Sequence, residues 1–124
     1  MPLIHAELTE KILGCCIRVH KALGPGFLEK IHEEALCLEL EKAGLKYERQ
    51  KSVFIFHEGK PVGEHRLDLL VESKVVLELK TCSAIEDAHL ATARSYLKAT
   101  GLQLALVVNF ARPTLDIKRV VLTH

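Results

Sequence analysis

The sequence predicts an α/β chain of the α+β type, with elements in the order α-α-β-β-β-α-β-β and neither internal repeat nor linker. Three observations carry this reading. Apolar residues recur at helical spacing through the segment before Gly44, and alternation broken only by Leu70 and Val76 at the even positions and Ser73 at the odd ones fills Arg66 to Lys80. A further helical stretch then separates that alternation from a nearly continuous apolar run, Gln103 to Asn109.

In the first helix, Ala6 to Leu23, Leu8, Ile12, Cys15, Val19 and Leu23 fall on one stripe, and Gly24-Pro25-Gly26 breaks it. The second is expected from Phe27 to Ala43, burying Leu28, Ile31, Ala35 and Leu38, with Gly44 as its C-terminal stop. Glu29 lies in its first turn, where the helix dipole favours a carboxylate, and shares a face with His32 and Glu33. Lys46 to His57 reads as a long strand, and Glu58-Gly59-Lys60-Pro61 turns into Val62 and the alternating stretch. After Lys80, Thr81-Cys82-Ser83 leads into a third helix, Ala84 to Ala99, with Ser83 as N-cap, Glu86 completing a capping box and Gly101 as stop. Ile85, His89, Thr92 and Tyr96 share one of its faces. Gln103 to Asn109 fits a central strand, and Leu115 to Leu122 is the last.

The alternating stretch holds the chemistry. Its odd positions are Leu67, Leu69, Val71, Val75, Leu77 and Leu79, interrupted only by Ser73, so it reads as two strands with a tight turn at Glu72-Ser73-Lys74. Keeping the odd residues on one buried face requires paired residue numbers to sum to an even value, and centring on Ser73 sets Asp68 opposite Glu78. Carboxylates directly across an antiparallel pair, with β-carbons about 5 Å apart, repel each other. A divalent cation would remove the repulsion, and carboxylate oxygens suit Mg²⁺ or Mn²⁺. Lys80 lies two residues past Glu78 on the same face, within reach of a phosphate or a water. The competing reading is a solvated face on which Arg66 and Lys80 offset the two acids; spacing alone favours it, because short charged motifs recur freely.

With 124 residues the chain suits one domain, 1–124, and nearly half its residues are hydrophobic. The absence of Trp argues against a surface of stacked bases as the main recognition device, and a net charge of +1 against indiscriminate tight DNA binding. Cys15, Cys16, Cys37 and Cys82 lack Cys-x-x-Cys spacing and read as small hydrophobes in a reducing cytoplasm. Neither a basic-then-apolar leader nor a bilayer-length apolar stretch is present, so a soluble, cytoplasmic protein without a membrane partner is expected.

Several separated motifs then agree in order and spacing. Gly24-Pro25-Gly26-Phe27-Leu28-Glu29, Asp68, Glu78-Leu79-Lys80, Ser95 to Gly101 and Val108-Asn109-Phe110 strongly resemble the GxxExxY family, assigned to the PD-(D/E)XK nuclease superfamily. The resemblance runs from Leu8 to Val121 and overturns the solvated-face reading. It implies a restriction-endonuclease-like core, αα-βββ-α-ββ, with a mixed sheet flanked by helices. It further implies that Asp68 and Glu78 bind the metal, with the Leu79 carbonyl as a further ligand, and that Lys80 orients or activates the attacking water. Glu29 matches the acid that the first core helix supplies to a second cation, or through water to the first. Thr92 and Tyr96 match a Gln-x-x-x-Tyr element near the substrate backbone, and His32 stands where the family name has Tyr. The replacements of Tyr by His32 and of Gln by Thr92 bear on substrate binding more than on metal binding.

The implied activity is Mg²⁺- or Mn²⁺-dependent hydrolysis of nucleic-acid phosphodiester bonds, leaving 5′-phosphates, with nucleic acid, DNA foremost, as partner. A homodimer is expected, since a small core gains contact area by pairing. The alternative is a catalytically silent nuclease-fold module that binds nucleic acid or a protein. A third reading joins Glu29 and His32 with His20 or His89 in a transition-metal site, although no two histidines show the i, i+4 pairing of a helical zinc motif.

Overall fold

The computed structural model describes residues 4–124, so the N-terminal residues Met1 to Leu3 lie outside the described residues. Eight elements follow in the expected order: α1 Ala6–Leu23, α2 Glu29–Lys42, β1 Tyr47–His57, β2 Lys60–Val71, β3 Val75–Lys80, α3 Asp87–Thr100, β4 Leu104–Asn109 and β5 Asp116–Val121. The strands form one sheet in the order β1-β2-β3-β4-β5. Only β3 and β4 run parallel, joined by the crossover through α3; the other neighbours are antiparallel.

Helices cover both faces of the sheet. Ile12, Cys15, Val19, Leu36 and Leu40 of α1 and α2 pack on Leu69, Val71, Leu77, Leu79, Leu106 and Phe110. On the opposite face Ala93 and Leu97 of α3 meet Leu67, Leu70, Val76, Ala105 and Val107. Every residue of β4 is therefore buried, which is why its sequence is apolar without alternation. Leu70 and Val76, the exceptions to alternation in the hairpin, fill the α3 side.

The β2–β3 register is the expected one, with Leu69 opposite Leu77, Leu70 opposite Val76 and Val71 opposite Val75. Glu72 and Ser73 both take left-handed backbone, with φ of 53° and 56°, and the Lys74 N–H donates to the Val71 carbonyl at 3.0 Å. A two-residue turn with both central residues left-handed matches the natural twist of the strands.

Three local expectations are corrected. The buried side of α2 carries His32, Glu33, Leu36, Cys37 and Leu40, whereas Leu28 and Leu38 are 74% and 61% exposed and Ile31 is exposed too. Both sets fit a 3.6-residue period. The more polar one wins because Glu33 and His32 find partners inside: Arg49 and Gln50 for the former, the Gly24 carbonyl for the latter. The third helix starts at Asp87, not Ala84, and its N-cap is Glu86 instead of Ser83. There the Glu86 N–H donates to Nδ1 of His89 at 2.9 Å, while the Glu86 side chain takes the His89 N–H. Finally, Leu67 packs on the α3 side, opposite to Leu69, because the β1–β2 ribbon changes faces between them.

Candidate active site

The face change occurs at Asp68. The β1–β2 ladder pairs Arg49 with Leu69 and Lys51 with Leu67 but skips Gln50 and Asp68 between them. On its other side, pairing of β2 with β3 stops at Leu69 and Leu77. Beyond that point side chains replace the ladder. The Leu79 N–H donates to Oδ2 of Asp68 at 2.8 Å, and the Asp68 N–H donates to Oε1 of Glu78 at 3.3 Å. The two acids thus lie where the register set them, at a fork between β2 and β3.

Backbone alternation orients the next groups. The Lys80 carbonyl accepts the Phe110 N–H from beside β4, at 2.9 Å. Leu79, one residue earlier, turns both its N–H and its carbonyl the other way, toward the fork. Asn109 fixes the chain just past Lys80: its Nδ2 donates to the Cys82 carbonyl at 2.8 Å, and its Oδ1 accepts the N–H groups of Cys82 and Ala111.

The charges make this a high-energy cluster. Burial, then the neighbouring Asp68, pushes the Glu78 carboxyl up to about 8. Burial also raises Asp68, with Glu33 adding to the rise; the Leu79 N–H and Lys80 oppose it. Glu29, at the start of α2, is raised by burial and by Asp68 and lowered by Lys80. Tyr96 approaches from α3, its hydroxyl pushed up to about 12 by burial and by the charges of Glu78 and Asp68. Glu29, Asp68, Glu78, Lys80 and Tyr96 therefore share one electrostatic environment.

Two expected residues stand apart. His32 is fully buried, stacked on Phe110 with ring centroids 4.6 Å apart, and its Nε2–H donates to the Gly24 carbonyl at 3.1 Å. It braces the loop before Glu29 and presents no surface to a substrate. Thr92 is exposed, but its hydroxyl donates back to the Ala88 carbonyl at 3.0 Å. The transition-metal reading is also corrected: His20 is bonded to the Arg112 carbonyl, His89 caps α3, and among the described residues no three His, Cys, Asp or Glu side chains are placed to hold a metal ion together.

Sequence reasoning missed the second layer. Glu33, buried, accepts Arg49 at 2.8 Å and the Gln50 amide at 3.0 Å, and Arg49 also reaches Glu34 at 2.6 Å. These residues line an open cavity of about 660 Å³ with Glu29 and Asp68. A hollow of equal volume along α1, beside Glu10 and Arg18, touches none of the site. His65 is a second omission; it meets the Tyr96 ring edge-on at 4.6 Å and lies 3.1 Å from the Ser95 hydroxyl. The Asn at the end of the apolar run was a visible signal, whereas nothing in Gln50 or His65 marks them in a strand.

A family model described as the PD-(D/E)XK nuclease superfamily matches residues 6–120. The chain belongs to that superfamily. Its members are in general nucleases that use divalent metal ions, and the five-stranded mixed sheet with three helices is its restriction-endonuclease-like fold. Among solved structures, the crystal structure of SSO0001 is similar, with a TM-score of 0.60 and 17% identity, covering 74% of this chain and 48% of that one. The chain spans about half the length of that protein, and the likeness concerns the fold. Comparison with curated proteins gave no match. No helix among the described residues of this superfamily member is long and apolar enough to cross a membrane.

Proposed function

We propose that this chain is a Mg²⁺- or Mn²⁺-dependent nuclease of the GxxExxY type that hydrolyses nucleic-acid phosphodiester bonds, with DNA foremost, at the β2–β3 fork. One observation carries the proposal: buried Glu78 and half-buried Asp68 lie together with raised proton affinities beside Lys80, where a structural sheet gains nothing from two acids. The donor set fits a hard divalent cation. Each acid uses one oxygen on a backbone N–H and keeps the other, and the Leu79 carbonyl faces the same gap. Mg²⁺ is commonly held by one or two carboxylates, completed by waters and substrate phosphate, so a three-acid cage is not required. When bound by Asp68, Glu78 and the Leu79 carbonyl, the ion supplies Lewis-acid polarisation and lowers the pKa of water.

The chain's own groups do the rest. Lys80 orients the attacking water and neutralises charge growing on the phosphate oxygens. Water oxygen joins phosphorus as the bond to the 3′ oxygen breaks; that oxygen takes a proton, leaving a 3′-hydroxyl and a 5′-phosphate. Glu29 would hold a second cation, or the first through water. Tyr96, with His65 behind its ring, borders the path of the substrate backbone.

The silent-module reading retains one supporting observation, since the Thr92 hydroxyl is occupied within its own helix. Metal-stimulated cleavage of single-stranded, duplex and branched DNA separates the two. Nuclease action predicts turnover that falls on the order of a hundredfold or more in Lys80→Ala. Binding without turnover, or a fully active Lys80→Ala protein, contradicts it.

A further inference from the structure

Resting on that reading of the site, we propose that Gln50 is a positioning residue for Asp68, whose left-handed backbone keeps the β1–β2 ladder open opposite the acid. Gln50 has φ of 48°, a conformation that side chains other than Gly, Asn and Asp adopt rarely in any setting and that a regular strand does not contain. It is the position across from Asp68, and the pairing skips both although the register is the same on either side.

The consequence reaches both strands. Leu67 and Val53 pack on the α3 side, whereas Leu69 packs on the side of α1 and α2, so the ribbon reverses faces at this step. Released from β1, Asp68 turns toward β3 and accepts the Leu79 N–H. A regular pair at Gln50 and Asp68 would instead send the carboxylate out along one face of the sheet, as alternation dictates.

The unfavourable conformation is held from α2. The Gln50 amide donates to Oε1 of Glu33 at 3.0 Å, while Arg49 occupies Oε2 of the same buried acid at 2.8 Å. Strain retained beside a reactive group and supported by surrounding contacts is the pattern of a functional constraint.

The test separates backbone from side chain. Gln50→Gly keeps access to positive φ without the amide; Gln50→Val disfavours positive φ and favours a regular strand. Gln50→Gly is expected to bind Mn²⁺ as the wild type does and to keep the Leu79 amide protected from hydrogen exchange. Gln50→Val is expected to weaken Mn²⁺ binding about tenfold or more, to expose the Leu79 amide to exchange, and to melt at the wild-type temperature or higher. Should Gln50→Val fail to fold, Gln50→Ala is read in the same way. A Val or Ala variant with wild-type affinity and a protected Leu79 amide overturns the proposal, as does a Gly variant that loses both. Exchange at Leu79 is measured without metal, so failure of the wild type to bind Mn²⁺ sinks the nuclease reading and leaves this one decided separately.

Discussion

Glu78 is an acid kept where an acid is costly. Its side chain is buried between β3 and α3 with Asp68 against it, so the metal-free protein carries a local penalty that a neutral isostere would lift. Glu78→Gln should therefore raise the stability of the metal-free protein by roughly 1 kcal/mol, as is common when a functional constraint is removed, and should abolish Mn²⁺ binding. Thermal melts with and without the ion check both halves; a destabilised variant would mean that Glu78 serves the fold instead. The acids themselves were legible in the sequence, because period two and a single turn fixed their register. Gln50 was not, since a glycine advertises positive φ and a glutamine does not. His32 was misplaced outward because nothing in its spacing reveals that the Gly24 carbonyl and the Phe110 ring receive it.

Elements with strong chemical punctuation were readable, and those with two equivalent patterns were not. α1 buries Ile12, Cys15 and Val19 as its spacing requires. In α2 two stripes obey the helical period, and the choice between them depends on Arg49 and Gln50, which are distant in sequence. Likewise, the start of α3 is set by His89 acting as the acceptor of a capping pair, a role more usual for Glu or Gln. The β2–β3 turn carries its own cost. Ser73 holds φ of 56° without glycine's freedom, so Ser73→Gly should stabilise the protein by about 0.5 kcal/mol. Denaturant unfolding would measure this. A destabilised Ser73→Gly protein would assign the turn's stability to the serine side chain.

At the level of the whole molecule, two helical layers and a mixed sheet bring acids from β2, β3 and α2 and a tyrosine from α3 to one fork, and their charges set how the protein responds to pH. The folded-state pKa of Glu78 lies above its ordinary value, so the folded form binds more protons than the unfolded form between 4.5 and about 8. Stability from this group is complete below the ordinary value and is lost as pH rises through the folded one; Asp68 and Glu29 shift in the same direction. The stability of the metal-free protein should accordingly rise on acidification across that window, by up to about 1.4 kcal/mol per pH unit from Glu78, and its melting temperature with it. Saturating Mn²⁺ should flatten the curve by taking the proton's place, and an unchanged slope would contradict the assignment. The most direct single measurement is calorimetric titration of Mn²⁺ into the wild type, Asp68→Ala and Glu78→Ala proteins at neutral pH, in buffers of different ionisation enthalpy. The account predicts binding with proton release in the wild type and none in either variant. Equal binding by all three proteins, or no binding by the wild type, would contradict it.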